Sequence, residues 1–252
     1  ISDITRFWMR QDRICPLLAD YLCGEIGIPE ENIVFLVALG THRPQSDEEL
    51  EKLVSPQVYR RFKVVNHDCK GELVTVGKTS RGTVVRVNPL AVNRKVILIG
   101  GTVHHLMSGF GGGRKSILPG ISGEDTVFQN HLHSLDPNAP RSNPKIGMGV
   151  LAGNPVHEDM VEAAQLVNPA FSINLVVNSR QELCALYCGH WLHAWEESCR
   201  KVQELFGLPI DKKADVVIAS CGGYPKDINL YQAVKSLLNA SQALKDGGTL
   251  VF

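Results

Sequence analysis

Strand-length apolar runs alternate with stretches of helical spacing along the whole chain. The apolar runs lie at 32–40, 95–101, 171–178, 214–223 and 249–252. Apolar residues at helical spacing predict helices at 14–26, 46–54, 122–133, 154–167, 190–207 and 230–244. Ser46 and Ser122, each followed by acidic residues, are the expected N-caps of two of these helices. Segment 72–88 alternates around Ser-Arg-Gly, which predicts a β-hairpin. This order of elements indicates an α/β fold.

A charged segment containing a proline, LPIDKKADV, separates these elements into two groups. We therefore predict a first domain at residues 1–209, with a Rossmann-like parallel sheet, and the beginning of a second α/β domain at residues 213–252. The chain begins at Ile1 without a methionine and ends inside GGTLVF, where a strand is starting. From these two features we expect a chain truncated at both ends.

The composition is that of an ordinary globular protein. Hydrophobic residues make up 44% and charged residues 21%, and the formal net charge is zero, which gives no indication of a nucleic-acid partner. The sequence shows neither an apolar run long enough to cross a bilayer nor a signal peptide. Its seven cysteines are scattered and include no CxxC pair. We expect a cytoplasmic protein that binds neither nucleic acid nor membrane.

Polar clusters follow three of the predicted strands. They are THRP at 41–44, TVHHLMSGFGGGRKS at 102–116 and YPKD at 224–227. Because the carboxyl ends of parallel strands face one crevice, we expect His42, His104 or His105, and the segment after Gly223 to converge there.

The glycine-rich segment SGFGGGRKS matches neither common nucleotide-binding motif. Arg114 stands where a P-loop has the glycine before its lysine, and where GxGxxG has its last glycine. Successive glycine N–H groups, with the charges of Arg114 and Lys115, nevertheless predict an anion site. A flexible glycine turn with solvated cations is the alternative.

The spacing of the histidines does not indicate a zinc site. Neither HExxH nor a Cys/His pair at zinc spacing occurs, and His131 and His133 lie on different faces of a helix. A metal held by one histidine together with a non-protein ligand stays open.

Two further pairs of polar residues have the spacing of neighbours. Asp3 and Arg6 are three residues apart, which is typical of a capping pair as well as of a site. Gln232 and Lys235 share one helix face, either as solvated residues or as an anion-binding pair.

Taken together, these motifs resemble the nickel-dependent lactate racemase family. The resemblance rests on motifs in the same order over essentially the whole chain: SDITR at 2–6, GTHRP at 40–44, HHLMSGFGGGRKSILPG at 104–120, His131 sixteen residues after Lys115, and GGYPKDINLYQAVK at 222–235.

The resemblance implies a nickel-pincer nucleotide, a pyridinium mononucleotide with two sulfur-bearing arms. Lys115 would form a thioamide with one arm, and His131 would coordinate the nickel, whose remaining in-plane ligands belong to the nucleotide. Asp3 and Arg6 match cofactor-binding residues, and Gly111 and Gly112 lie in the loop implied to hold the cofactor. Cofactor-maturation enzymes are the implied protein partners.

The implied activity is racemisation or epimerisation of lactate or a related 2-hydroxy acid. His42 and His105 match acid/base residues on opposite faces of the substrate, while Arg6, Gln232 and Lys235 match substrate-binding residues. One histidine would take the hydroxyl proton as hydride leaves the carbon, and a 2-keto acid would accept hydride on its other face.

Two other functions are weighed against this one. A 2-hydroxy acid dehydrogenase of the NAD type would use the loop for pyrophosphate, but GxGxxG and its downstream acidic residue are missing. A non-catalytic nucleotide- or metal-binding homologue is disfavoured by the presence of His42, His105, Lys115 and His131.

Overall fold

The computed structural model describes residues 1–224 and 227–252; the side chains of residues 231 and 232 lie outside this description. The helices are α1 (Gln11–Gly24), α2 (Asp47–Val54), α3 (Pro56–Arg61), α4 (Glu124–Leu132), α5 (Pro155–Val167), α6 (His193–Phe206) and α7 (Leu230–Ala240). The strands are β1 (Val34–Val37), β2 (Lys63–Asn66), β3 (Val74–Lys78), β4 (Val84–Val87), β5 (Ile97–Gly101), β6 (His104–His105), β7 (Gly109–Phe110), β8 (Phe171–Val177), β9 (Leu183–Gly189), β10 (Ala214–Ile218) and β11 (Leu244–Val251). Short 3₁₀ helices include Ile4–Met9 and Gly113–Ser116.

Parallel strand pairs form the framework, as the sequence predicts for an α/β fold. β1 pairs with β2, β5 with β8, and β10 with β11, all in parallel. β9 runs antiparallel to β8 at the edge of the β5–β8–β9 sheet. An apolar cavity of about 370 Å³, lined by residues of β1 and β5, lies between the first pair and this sheet. The carboxyl ends of β1 and β5 lead into the motifs that carry the candidate chemistry.

The first two residues of the chain extend the β1–β2 pair. The Ile1 amino group donates to the Leu36 carbonyl, and the Ala38 amide donates to the Ile1 carbonyl. Ser2 and Ala38 form a parallel bridge. This register carries the next residue, Asp3, to the carboxyl end of β1.

Several predicted elements are confirmed with shifted ends. Ser46 caps α2, and Glu49 completes a capping box with it. β3 and β4 form the predicted antiparallel hairpin. The run at 32–40 contributes only the four residues of β1, and β11 begins at residue 244 rather than 249.

The predicted N-cap of α4 is wrong. Gly123 is the N-cap, and the buried Ser122 hydroxyl donates instead to the Ile117 carbonyl at 2.8 Å. The competing carbonyl belongs to a segment five residues earlier, so the local sequence does not reveal that the hydroxyl is already engaged.

Elements additional to the predicted set include α3, β2 and β9, besides the two-residue strands β6 and β7. The first two are six and four residues long, too short to carry a periodic signal. On β9, Leu183 and Leu186 are both exposed although they are three residues apart, so the segment shows no regular alternation of apolar and polar residues.

Buried apolar side chains in residues 1–224 and 227–252 include three clusters. One packs α1, α2 and α3 against β1, and a second packs α5 and the β3–β4 hairpin against β5. The third joins Phe110 of β7 to Trp195, Cys199 and Val202 of α6. This third cluster lies directly beneath the glycine-rich segment. The division at 209 and 213 stays a prediction.

Candidate active site

Asp3 links the start of the chain to the loop after β1. Its side chain is 1% exposed and caps the 3₁₀ helix Ile4–Met9 by accepting the Thr5 amide at 2.9 Å. The same carboxylate accepts hydrogen bonds from Nδ1 of His42 at 2.8 Å and from the Arg6 guanidinium at 2.7 Å. Asp3 is therefore both a cap and the centre of a polar cluster, so the two interpretations of its spacing with Arg6 are compatible.

The ionisation of Asp3 sets the tautomer of His42. Burial would raise the pKa of Asp3, but the His42 hydrogen bond, the Arg6 charge and the Thr5 hydroxyl outweigh it and lower the pKa to about 2. An ionised carboxylate can only accept, so Nδ1 of His42 carries a proton. In the neutral ring, Nε2 then presents a lone pair. This arrangement orients the imidazole as a base.

His105 and Lys115 form a second polar pair. Nε2 of His105 lies 2.9 Å from Nζ of Lys115, while Nδ1 of His105 accepts the backbone N–H groups of Met107 and Ser108, both at 3.3 Å. The short antiparallel pair β6–β7 turns the chain back and brings these groups together. Burial and the neighbouring cations lower the pKa of His105 to about 2, so the ring is neutral.

The positive charges around Lys115 come from three separate parts of the chain. Burial, followed by the charges of Arg114, Arg6 and Lys235, lowers the pKa of Lys115 well below its ordinary value. Burial and the Arg6 charge lower the pKa of Lys235 as well. The charges of Arg6 and Lys235 thus act on each other and on Lys115, and these two cations make the region attractive to an anion.

The expectation that Arg114 faces a bound anion is wrong. Arg114 is completely buried and donates to the carbonyls of Phe110 at 2.8 Å and Ser108 at 2.6 Å. Its guanidinium lies 4.0 Å above the ring of Trp195, and its Nε donates to Nδ1 of His157. The N–H groups of the Arg114 guanidinium are therefore satisfied by loop carbonyls rather than by a ligand. Burial lowers its pKa to about 9, so it remains a cation at neutral pH.

The glycines of the loop allow close packing. The Gly111 amide donates to the Val103 carbonyl at 2.7 Å, and its own carbonyl accepts Nε1 of Trp195 at 2.8 Å. Gly112 and Gly113 have φ of +70° and +52°; a Cβ would lie 2.7 Å from the Gly101 carbonyl oxygen in one and 2.4 Å from Cγ of Trp195 in the other. Trp195 and Gly101 therefore leave no room for a side chain there.

His131 lies on α4, and its orientation suits metal binding. Its Nδ1 lies 2.7 Å from the Val127 carbonyl, which can only accept, so Nδ1 carries the proton and Nε2 is the lone-pair nitrogen. Burial lowers the pKa of His131, which keeps the ring in the neutral form that a metal requires. Within residues 1–224 and 227–252, no cluster of three or more His, Cys, Asp or Glu side chains could hold a metal ion.

The remaining site residues and histidines lie in different surroundings. Lys235 is on α7, whereas the side chain of Gln232 is outside the described residues. His104 stacks on Phe110 and bonds to Gln203, away from Lys115. His133 lies beside the buried Asp159, 3.7 Å from its carboxylate.

Sequence reasoning did not identify Trp195. It connects the glycine loop to α6 although 84 residues separate it from Gly111. The sequence offers only a general indication of its role, which is that the indole N–H of a buried tryptophan usually has a hydrogen-bond acceptor. The acceptor could not be named without the fold.

Among the helices that the structure describes, none is long and apolar enough to cross a bilayer.

Known proteins resemble this chain over most of its length. Residues 1–142 match the family described as the lactate racemase N-terminal domain, and residues 210–252 match the lactate racemase C-terminal domain. The lactate racemase of Thermoanaerobacterium thermosaccharolyticum is 34% identical over 224 residues, which are 88% of this chain and 51% of that protein. The lactate racemase of Lactiplantibacillus plantarum is 34% identical over 228 residues, 89% of this chain and 52% of that protein. The chain spans about half the length of these relatives.

Solved structures support the same relationship. The lactate racemase apoprotein from T. thermosaccharolyticum superimposes with a TM-score of 0.89 at 34% identity, over 99% of this chain and 58% of that one. A protein from Thermotoga maritima superimposes with a TM-score of 0.68 at 27% identity, over 86% of this chain and 57% of that one. With its N-terminal family match covering more than half of its length, the chain belongs to the lactate racemase family.

Proposed function

We propose that this chain is part of an isomerase that racemises or epimerises lactate or a related 2-hydroxy acid. The observation that carries the proposal is the Asp3–His42 pair, because a buried carboxylate at 2.8 Å orients His42 as a base and also holds the Arg6 cation. A 2-hydroxy acid offers the two groups that this arrangement recognises. Its hydroxyl proton suits the base, and its carboxylate suits the cations.

Arg6, Lys235 and Gln232 are the proposed substrate-binding residues. Asp3 holds the Arg6 guanidinium at 2.7 Å, and the charge of Arg6 also acts on Lys235. Together the two cations would bind the substrate carboxylate and turn its hydroxyl toward His42. Gln232 joins this group by its spacing of three residues from Lys235 on α7.

His42 and His105 are the proposed acid/base residues. His42 would accept the hydroxyl proton at Nε2, and Asp3 would stabilise the imidazolium that forms. In the unmodified protein His105, with Nδ1 facing two backbone amides, carries its ring proton on Nε2 and can donate a hydrogen bond from it to an oxygen of the substrate. The His42 imidazolium would return its proton to the oxygen when hydride comes back to the carbon, and hydride added to the other face would yield the other enantiomer.

The residues fit a nickel-pincer nucleotide as the resident cofactor. His131 offers one ligand nitrogen, and the sulfur arms and ring carbon of the nucleotide would supply the further ligands that a metal held by a single protein side chain needs. Lys115 offers an amine for the thioamide, and the packed loop containing Gly111 and Gly112 holds it in place. When bound, this cofactor would supply the hydride acceptor that removal of hydrogen from the substrate carbon requires.

The proposal extends to the domain organisation and the cellular location of the protein. We infer a cofactor-binding domain at 1–209 and a second domain from 213 that contributes Gln232 and Lys235 to the site. We also infer a cytoplasmic protein that receives its cofactor from maturation enzymes.

The test is an intact mass of the full-length protein made together with the maturation enzymes, combined with nickel analysis. We expect a covalent nucleotide adduct that is lost in Lys115→Ala and retained in Lys63→Ala, where the lysine is exposed on β2. Single-enantiomer 2-hydroxy acids, followed by chiral chromatography, then identify the substrate.

Two results would contradict the proposal. An unmodified protein that binds NAD tightly would favour a dehydrogenase. A nickel-loaded protein that racemises no 2-hydroxy acid of the panel would favour a binding protein without this activity.

A further inference from the structure

The backbone around His105 determines where its ring proton lies. The N–H groups of Met107 and Ser108 both point at Nδ1, at 3.3 Å, and the Ser108 hydroxyl, which can donate as well, lies 3.1 Å from it. A protonated Nδ1 would itself be a donor and could not accept from these two backbone N–H groups. Nδ1 must therefore carry the lone pair. The neutral ring therefore carries its proton on Nε2.

This proton faces the Lys115 amine. Nε2 and Nζ are 2.9 Å apart, and one of the two must accept. Because Nε2 bears hydrogen, Nζ must provide the lone pair, and only the uncharged amine has one. The hydrogen-bond pattern of His105 thus requires a neutral Lys115.

The surrounding charges favour the same state. Burial together with the cations Arg114, Arg6 and Lys235 disfavours a proton on Lys115. Arg114 is the nearest of these in sequence and is held by loop carbonyls rather than by a carboxylate, so its charge is not neutralised by an ion pair. The imidazole that contacts Lys115 is itself neutral, since burial and charges that include Arg114 and Lys235 lower its pKa.

We propose that Lys115 is a neutral, nucleophilic amine in the protein before any cofactor is attached, kept in that state by the Nε2–H of His105 and the buried Arg114. The inference rests on the proposed function in that Lys115 is the proposed tether. It adds that the chain itself activates the tether toward an activated carboxyl or thiocarboxyl carbon. In such a step the amine lone pair bonds to the carbon, the leaving group departs with its electron pair, and one amine proton passes to solvent.

Cyanate is a probe small enough for this partly buried amine. Nζ adds to the carbon of isocyanic acid and a proton moves to the reagent nitrogen, so a urea forms without a leaving group. Rates for individual lysines, measured by peptide mass spectrometry from pH 6 to 10 and divided by the isocyanic acid concentration at each pH, report the neutral fraction of each amine. Lys63, exposed on β2, is the internal reference.

We expect Lys115 to be carbamoylated at pH 7 at least roughly 100-fold faster than Lys63. An ordinary lysine with a pKa of about 10.4 is neutral in only about one molecule in 2,500 at that pH. Divided by the isocyanic acid concentration, the Lys115 rate should change little above pH 7, whereas the Lys63 rate should rise about tenfold per pH unit until its own pKa is reached. Equal pH profiles for the two lysines in the unmodified chain would overturn the proposal.

The role of His105 is tested by His105→Phe, which keeps an aromatic ring and removes both nitrogens. We expect the Lys115 rate at pH 7 to fall roughly tenfold, the effect of losing one hydrogen bond that favours the neutral amine. His104→Phe is the matched control and should leave the rate unchanged, since His104 bonds to Gln203. A rate unaffected by His105→Phe would overturn the role given to His105.

The outcome is distinguishable from that of the proposed function. Carbamoylation requires neither nickel nor maturation enzymes. A reactive Lys115 without an adduct in matured protein would contradict the racemase proposal alone, and an adduct on a lysine of ordinary reactivity would contradict this inference alone.

Discussion

The Asp3 carboxylate lies 2.8 Å from Nδ1 of His42, thirty-nine residues further along the chain. The same carboxylate bonds to Arg6 at 2.7 Å, so one buried acid orients both the proposed base and a proposed carboxylate-binding cation. The contact exists because residues 1–3 run parallel to the end of β1, from which the chain continues to His42.

Replacing Asp3 by asparagine should impair catalysis more than folding. The asparagine side chain could still accept a hydrogen bond, but its neutral amide would neither fix the His42 tautomer nor stabilise an imidazolium. We expect kcat of the cofactor-loaded enzyme to fall by roughly 10²–10⁴-fold. Asp12→Asn, which affects a pair with the partly exposed Arg10, should change kcat less than twofold. A similar loss in both variants would contradict the role of Asp3.

The stability of the protein should depend on the ionisation of Asp3 in acid. Its folded pKa of about 2 lies below the ordinary value of 3.8, so its contribution is fully present above about pH 4 and is lost as pH falls through 2. A shift of this size corresponds to roughly 2 kcal/mol. In urea unfolding from pH 2 to 6, the free energy of unfolding of the wild type should exceed that of Asp3→Asn by this amount at pH 6 and by much less at pH 2. A difference that does not vary with pH would show that Asp3 acts through packing alone.

Gly113→Ala should destabilise the protein severely. The new Cβ would lie 2.4 Å from Cγ of the buried Trp195, in a backbone with φ of +52°. Gly27→Ala is the matched control, because its φ is +77° but nothing lies within 4 Å of the added Cβ. We expect a loss of about 1 kcal/mol of unfolding free energy for Gly27→Ala and of more than about 3 kcal/mol for Gly113→Ala, measured by urea unfolding. Equal losses would show that Trp195 moves aside easily.

The buried Asp159 should be a second point of high sensitivity. Its carboxylate accepts hydrogen bonds from Thr79 at 2.5 Å, Thr83 at 2.8 Å and Asn130 at 2.8 Å, and so ties the hairpin and α4 to α5. Asp159→Ala leaves these donors without their acceptor, and we expect a loss of more than about 3 kcal/mol in unfolding free energy. Glu162 lies on the same helix as Asp159 and is an exposed hydrogen-bond partner of Ser80. Glu162→Ala should lower the unfolding free energy by less than about 1 kcal/mol.

Nickel retention should depend on His131. His131→Ala removes the proposed protein ligand, so nickel in matured protein should fall by at least about tenfold after dialysis against a chelator. His193→Ala, at an exposed histidine that pairs with Glu196 on α6, should retain wild-type nickel. Full retention in His131→Ala would assign the metal to other ligands.

Local patterns account for much of the fold. The capping box of α2, the β3–β4 hairpin and the apolar runs of β1 and β5 depend on neighbouring residues, and each could be located from spacing alone. The same holds for the motifs containing His42, His105 and Lys115, because parallel strands bring their carboxyl ends to one side. The short elements α3 and β2 carry too few residues for such a signal.

The assignment of individual donors and acceptors depended on contacts between distant segments. Arg114 and Lys115 are adjacent cations in the sequence, yet Trp195 and loop carbonyls enclose the first while His105 contacts the second. Ser122 has the sequence context of an N-cap, but the Ile117 carbonyl takes its hydroxyl.

Interactions a few residues apart define most of the helices, hairpins and caps, so the amino-acid sequence was enough to predict these elements and the polar side chains at the ends of the strands. The charge states, tautomers and contact partners of those side chains required the folded structure. Those properties depend on burial and on the electrostatic field of groups such as Asp3, Arg114 and Lys235, which the folded chain brings together from positions more than a hundred residues apart.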